Sequence, residues 1–138
     1  HRHTPEIEQN LRLASGKSAT IAMTPVLVPM SRGILAVNTA KPSSLFSLER
    51  LRDVYQAAYG DEVFVQVLPE GQLPRTASVL GSNNAQISLP FDEHAGRVVV
   101  VSAIDNLVKG TAGTAIQALN IALGLTEEIG LTAIGVAP

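Results

Sequence analysis

The chain has 138 residues, 46% of them apolar, with ten basic and twelve acidic side chains and a formal net charge of −2. This size and apolar content suffice for a hydrophobic core. The evenly spread charge predicts no binding of nucleic acid or of a membrane surface, and no apolar run approaches the roughly 20 residues of a membrane-spanning helix. The lack of cysteine leaves no disulfide or thiolate metal site and fits the cytoplasm. We therefore expect a soluble cytoplasmic protein with a small-molecule or protein partner.

The first predicted element is a helix that begins within the segment HRHTPEI, His1 to Ile7. Thr4 is placed to cap it, Pro5 has the fixed φ of a first helical position, and Glu6 adds negative charge where the helix dipole favours it. Gly16 is predicted to end this helix. The segment therefore predicts a helix start that presents imidazole and carboxylate groups together.

Two strands and a second helix are predicted to follow. The apolar segment from Ala19 to Val28 is predicted as a strand interrupted near Pro25, and the segment from Gly33 to Ala40 as the next strand. Ser47 is predicted to cap the helix LERLRDVYQAAY, whose apolar residues recur at helical spacing before Gly60. We expect one face of this helix to pack on the core.

The second half of the chain predicts three more strands and a final helix. The strands are EVFVQVL at Glu62 to Leu68, then AQISLPF and GRVVVVSAI on either side of the turn from Asp92 to Gly96. The last two strands are expected to pair antiparallel, and the final helix is expected to run from Lys109 or Gly110 to Leu123. This order of elements predicts an α+β fold in which helices cover a mixed, largely antiparallel sheet.

The densest group of candidate catalytic residues is His1, His3 and Glu6. A carboxylate within hydrogen-bond reach of an imidazole fixes its tautomer and raises its basicity, which suits a general acid–base near neutral pH. The alternative is a pair of solvated histidines at a mobile chain end. Because the chain offers no obvious further ligand beside them, we predict no metal site.

Two other segments carry candidate binding residues. Arg32 precedes a glycine in a connection between strands, where its guanidinium can bind a carboxylate or phosphate with two hydrogen bonds. Asn106, Lys109 and Gly110 precede or begin the final helix, where free N–H groups and an ammonium attract an anion or a carboxamide. The structural alternatives are an exposed arginine in a turn and a tightly packed helix. The chain has no glycine-rich phosphate-binding motif and is not predicted to be a complete nucleotide-binding domain.

Four segments, in order, resemble the N-acetyl-gamma-glutamyl-phosphate reductase family, which is related to the aspartate-semialdehyde dehydrogenases. They are HRHTPEI, PVLVPMSRGI, PEGQLPRTASVLGSN and AIDNLVKGTAGTAIQALN. The resemblance implies an enzyme of arginine biosynthesis that reduces N-acetyl-gamma-glutamyl phosphate to its semialdehyde with NADP as cofactor. A cysteine attacks the acyl phosphate in this family, and hydride from NADPH reduces the resulting thioester.

The resemblance also implies roles for the candidate residues. The implied catalytic residues are His3 as proton shuttle, Glu6 as the carboxylate that orients His3, and His1 as a second polar contact. The implied substrate contacts are Arg32 and Lys109. The implied NADP contacts are Asn106 and Gly110. The sequence does not separate the roles of the two histidines, since both lie beside the helix start. No cysteine is present in this chain to serve as the nucleophile.

The family's dinucleotide-binding half and its nucleophilic cysteine precede the HRHTPEI segment. The resemblance therefore implies that residues 1–104 form a substrate-binding and dimerisation domain, while residues 105–138 form a helix and tail that pack on the dinucleotide-binding domain. We expect a homo-oligomer, dimer or tetramer, and an isolated chain that does not turn over substrate. The competing interpretation is a non-catalytic oligomerisation or binding domain.

Overall fold

The computed structural model describes residues 2–42 and 47–136, and the chain divides into two compact units. The N-terminal unit is His1–Met30 and the C-terminal unit is Ser31–Pro138. No helix in these two ranges of described residues is long and apolar enough to cross a membrane.

The N-terminal unit contains one helix, α1, at Thr4–Ser15. It ends as predicted at Gly16, whose φ of 68° is left-handed and whose N–H donates to the carbonyl of Arg12. The predicted cap at Thr4 is wrong, because Thr4 is already helical and the residue before the helix is His3. Pro5 is accommodated in this first turn because the first four N–H groups of a helix have no partner within it.

The predicted strand from Ala19 to Val28 is also wrong, since residues 17–30 contain neither a strand nor a helix. Pro25 has no N–H for a ladder hydrogen bond, and the described residues 2–30 of this unit contain no strand with which the segment could pair. The segment is held instead by the backbone N–H of Ile21, which donates to Oε1 of Glu8 at 3.0 Å. Alternating apolar residues are thus not sufficient for a strand without a partner.

The C-terminal unit is built on a five-stranded sheet. Its strands are β1 at Ile34–Ala40, β2 at Val65–Val67, β3 at Ala85–Ser88, β4 at Phe91–Asp92 and β5 at Arg97–Ile104. Their order is β1-β5-β3-β2, with β4 also paired to β5. Only β2 and β3 run parallel, and the other described pairs are antiparallel. The expected α+β fold with a mixed, largely antiparallel sheet is therefore confirmed.

Helices in this unit pack on or beside the sheet. They are α2 at Leu48–Tyr59, a one-turn α3 at Thr76–Val79, a π-helical turn at Val108–Ala112, and α4 at Gly113–Ala122. Ser47 caps α2 as predicted, accepting a hydrogen bond from the N–H of Arg50 at 3.2 Å. Sequence periodicity predicted the final helix as one element but not the π-helical turn at its start or the short α3.

The core lies between α2 and one face of the sheet. Leu51 of α2 packs with Leu89 and Val98, and five half-buried residues surround them: Tyr55, Val67, Ile87, Phe91 and Val100. Since side chains alternate along a strand, Val99 and Val101 point to the opposite face, where they pair with Thr39 and Val37 of β1. Val37 and Leu35 are 63% and 49% exposed there, so the second face of the sheet presents an uncovered apolar surface along β1, whereas Ala103 of β5 on the same face is buried.

The residues after α4 are hydrogen-bonded within the same unit. The N–H of Val136 donates to the carbonyl of Leu80 at 2.7 Å, and the N–H of Asn83 donates to the carbonyl of Thr132 at 2.7 Å. Four residues on one face of α4 and of the turn before it are exposed: Ala112, Ala115, Ile116 and Leu119.

Candidate functional site

A buried carboxylate, Asp105, connects three segments of the C-terminal unit. Nε of Arg32 lies 2.9 Å from Oδ2 and 3.1 Å from Oδ1 of Asp105. The backbone N–H of Gly81 donates to Oδ2 at 2.6 Å, and those of Leu107 and Val108 donate to Oδ1 at 2.8 and 2.9 Å. The Asp105 side chain has no solvent exposure, so this set of donors replaces its water shell.

Local sequence explains how Asp105 comes to accept these bonds. It follows the last residue of β5 and precedes a helical turn, and its bonds to the N–H groups two and three residues later are those of a helix N-cap. Burial by itself would raise the pKa of Asp105. The backbone donors Gly81, Val108 and Leu107, together with Arg32, outweigh burial and lower the pKa to about 2. The carboxylate is therefore ionised throughout the physiological range.

Asp105 engages Arg32 through Nε only, according to the contacts of the described residues. A guanidinium has two further nitrogens, and the Arg32 side chain is 33% exposed. Beside it, the N–H of Gly33 donates to Oδ1 of Asn106 at 2.7 Å. Gly33 has a φ of 109°, and a Cβ there would lie 2.9 Å from Cβ of Thr76, so only glycine fits. Arg32 and Asn106 are thus brought together at one end of the sheet.

Lys109 lies in the π-helical turn, and its Nζ donates to Oε1 of Gln117 at 2.9 Å. It also lies 5.6 Å from the centre of the Phe64 ring, within range of a cation–π contact. Burial lowers the pKa of Lys109, and the negative charges of Glu127 and Glu62 act in the opposite direction. The ammonium is therefore partly desolvated but faces two carboxylates.

The predicted catalytic residues belong to the N-terminal unit. His1 lies outside the described residues. His3 immediately precedes α1, Glu6 is in its first turn, and both side chains are exposed. An exposed imidazole and carboxylate at a helix start are accessible to a reactant, which is what an acid–base role requires.

A family model described as "Semialdehyde dehydrogenase, dimerisation domain" matches residues 1–106. The chain belongs to this family. The matched residues include α1, α2, α3 and all five strands of the sheet.

Curated relatives match the whole chain. It is similar to the N-acetyl-gamma-glutamyl-phosphate reductases of Paenarthrobacter aurescens (59% identical over 138 residues), Streptomyces avermitilis (56% over 138 residues) and Mycobacterium avium (55% over 138 residues). These alignments cover 100% of this chain but only 40%, 40% and 39% of the respective relatives. The chain therefore spans about two fifths of the length of the relatives it matches.

The residues around Gly110 fit a contact with a cofactor. Gly110 is exposed, and a Cβ there would meet only ordinary contacts, the nearest being the carbonyl oxygen of Asp105 at 3.4 Å. The chain's own packing does not require glycine at this position, whereas close approach of a ligand to the backbone would. Asn106 uses its Oδ1 on Gly33, which leaves its amide nitrogen as the donor for a ligand. Within residues 2–42 and 47–136, no group of three or more acidic or histidine side chains could hold a metal ion.

Three polar residues of the site were not assigned from sequence: Asp105, Gln117 and Glu127. The signal for Asp105 was local, because an aspartate between an apolar strand and a helix start is a typical N-cap. No local signal marks Gln117 or Glu127, since their roles depend on side-chain contacts across α4 and the tail.

Proposed function

We propose that the protein containing this chain is an NADP-dependent N-acetyl-gamma-glutamyl-phosphate reductase of arginine biosynthesis, acting in the cytoplasm. The observation that carries this proposal is the 55–59% identity to reductases of that name along all 138 residues. In the proposed reaction, a cysteine displaces inorganic phosphate from the acyl phosphate to form a thioester. NADPH, when bound, would supply the hydride that converts this thioester to the semialdehyde and releases the cysteine thiolate. The nucleophilic cysteine belongs to the part of the enzyme outside this chain, which has no cysteine.

The proposed proton shuttle is His3, with Glu6 as the carboxylate that orients it and His1 as a second polar contact. Support comes from the exposure of both His3 and Glu6 at the start of α1. A histidine next to a reacting thiol accepts its proton when the nucleophile attacks, and returns a proton to the sulfur when the carbon–sulfur bond breaks and the aldehyde is released.

The proposed substrate contacts are Arg32 and Lys109, which supply two cationic groups for a substrate that carries a carboxylate and a phosphate. Arg32 is supported by its buried partner Asp105, which holds Nε and leaves the rest of the guanidinium for a ligand. Lys109 is supported by its partly desolvated ammonium, because a cation binds an anion more strongly when water is excluded. Asn106 and Gly110 are the proposed contacts to NADP, which supplies the hydride when bound.

We also propose that residues 1–104 bind substrate and form the subunit contact, while residues 105–138 pack on the dinucleotide-binding domain. The exposed apolar face of α4 supports the second part, since it offers a surface for another domain. The uncovered face of the sheet supports a homodimer or a tetramer built from such dimers. The substrate is a small molecule, and we propose no contact with nucleic acid or membrane.

The test is an assay of the complete protein for oxidation of NADPH that depends on N-acetyl-gamma-glutamyl phosphate and releases one phosphate per NADPH. The reverse reaction, reduction of NADP by the semialdehyde in the presence of phosphate, is an equivalent measurement. We expect activity from the complete protein and none from the 138-residue chain. A complete protein that forms oligomers but catalyses neither direction would be a non-catalytic oligomerisation domain.

A further inference from the structure

A chain of three side chains runs from the tail to Lys109. Nε2 of Gln117 donates to Oε2 of Glu127 at 2.8 Å, and Oε1 of Gln117 accepts from Nζ of Lys109 at 2.9 Å. We propose that Gln117 and Glu127 are positioning residues, which fix the Lys109 ammonium where the phosphate or carboxylate of the substrate binds. This inference rests on the proposed function, since it concerns the same site.

The orientation of the Gln117 amide is determined by its partners. Its Oε1 accepts a second hydrogen bond, from Nδ2 of Asn83 at 2.9 Å, while its Nε2 is committed to Glu127. A rotation of the amide by 180° would place N–H groups against two donors and an oxygen against a carboxylate. Asn83 is fully buried, so the acceptor offered to Lys109 is anchored in the interior of the unit.

The π-helical turn brings Lys109 and Gln117 onto the same side. Residues eight apart in a continuous α-helix differ in direction by about 80°. A π-helical turn holds about one additional residue, so the pair is spaced as if seven apart, and the difference falls to about 20°. Lys109 lies within the turn at Val108–Ala112 and Gln117 lies after it in α4, so the additional residue of the turn changes the relative direction of the two side chains.

The held ammonium retains donors for a ligand. Lysine has three N–H donors, and within the described part of the chain Lys109 donates one hydrogen bond, to Gln117. The Phe64 ring lies within cation–π range of the ammonium, and the charges of Glu127 and Glu62 favour its protonated form against burial. An ammonium that is fixed, charged and partly desolvated binds an anion with less loss of side-chain entropy than a free lysine does.

The experiment is a double-mutant cycle in the complete protein with Gln117→Met and Lys109→Met, both of which keep an unbranched side chain of similar length. We expect each single variant to raise KM for the acyl phosphate about tenfold with kcat nearly unchanged, and the double variant to match Lys109→Met alone. Glu127→Gln should raise KM by a smaller factor. Glu128→Gln, at the exposed position next to Glu127, is the control and should leave KM unchanged. The inference is overturned if Gln117→Met leaves KM unchanged or raises it further in the Lys109→Met background.

The lysine resonances of the 138-residue chain separate this inference from the proposed function. The chain has three lysines, so Lys17 and Lys41 serve as internal references when the amines are labelled for NMR. We expect Gln117→Met to shift the Lys109 signal and lower its pKa, because the ammonium loses an acceptor, with the other two signals unchanged. If the complete protein proves inactive, an unshifted Lys109 signal still refutes the network, and a shifted one supports it.

Discussion

Asp105 and Arg32 are separated by 73 positions in the sequence, yet the Arg32 guanidinium lies against the Asp105 carboxylate with Nε 2.9 Å from Oδ2. The carboxylate is fully buried and the guanidinium is partly exposed. Breaking a buried ion pair leaves an uncompensated charge, which costs more than the pair contributes. The arrangement therefore couples the end of β5 to the connection before β1 and fixes a cation that faces solvent.

We predict that Asp105→Asn destabilises the C-terminal unit by about 3 kcal/mol. Asparagine has the same shape, but its NH₂ group cannot accept from the N–H of Gly81 or from Arg32, so at least one buried donor is left without a partner. Urea unfolding of the chain at pH 7 measures the change. Asp53→Asn, at an exposed position of α2, is the matched control and should alter stability by less than about 0.5 kcal/mol.

The lowered pKa of Asp105 predicts a pH dependence. Its folded pKa of about 2 is below the ordinary value of 3.8, so its contribution to the free energy of unfolding is complete above about pH 4. That contribution is lost as the pH falls from about 4 towards 2, because the unfolded chain binds the proton first. The stability difference between wild type and Asp105→Asn should therefore shrink over this interval. A difference that stays constant from pH 6 to pH 2 would contradict the assignment.

Local patterns in the sequence predicted the elements whose stability is local. The cap at Ser47, the antiparallel strands around the turn from Asp92 to Gly96, and the glycine end of α1 all depend on residues a few positions apart. The prediction of a strand from Ala19 to Val28 was wrong because a strand needs a partner strand, which its own sequence does not encode.

The candidate site shows the same division between features set by neighbouring residues and features set by tertiary contacts. Arg32 and Lys109 were found because charged residues next to glycines suggest binding, but the buried Asp105 and the Gln117–Glu127 pair are defined by tertiary contacts. The π-helical turn could not be predicted from apolar periodicity, since it adds a residue to a helix without altering composition.

Two neighbouring glycines allow packing and ligand contact to be tested separately. A Cβ at Gly113 would overlap Oδ1 of Asn83 and lie 2.7 Å from Cγ1 of Val108. We predict that Gly113→Ala costs about 2 kcal/mol in urea unfolding, because the buried neighbours cannot move away freely. Gly110→Ala should leave stability within about 0.5 kcal/mol but raise KM for NADPH in the complete protein several-fold. Equal effects of the two substitutions on stability would show that Gly110 is also a packing residue.

The acid–base proposal predicts a selective loss of activity from His3→Asn in the complete protein. We expect kcat to fall by about 10²- to 10⁴-fold, the range that a general acid–base contributes, while stability is retained because the side chain is exposed. Glu6→Gln should cause a smaller loss and shift the pH profile of kcat/KM, since Glu6 acts through the imidazole. His94→Asn, an exposed histidine in the turn before β5, is the control. Retention of full activity by His3→Asn would remove His3 from the mechanism.

The uncovered sheet face predicts where the subunits meet. Val37 is 63% exposed on the face opposite α2, and Val54 is 53% exposed on α2 itself. An aspartate in a closed apolar interface is an unpaired buried charge, whereas an aspartate at a solvated position costs little. We therefore expect Val37→Asp to convert the oligomer to monomers in light scattering and analytical ultracentrifugation, and Val54→Asp to leave its mass unchanged. If Val54→Asp forms monomers while Val37→Asp remains oligomeric, the subunit interface lies on the α2 side of the sheet instead.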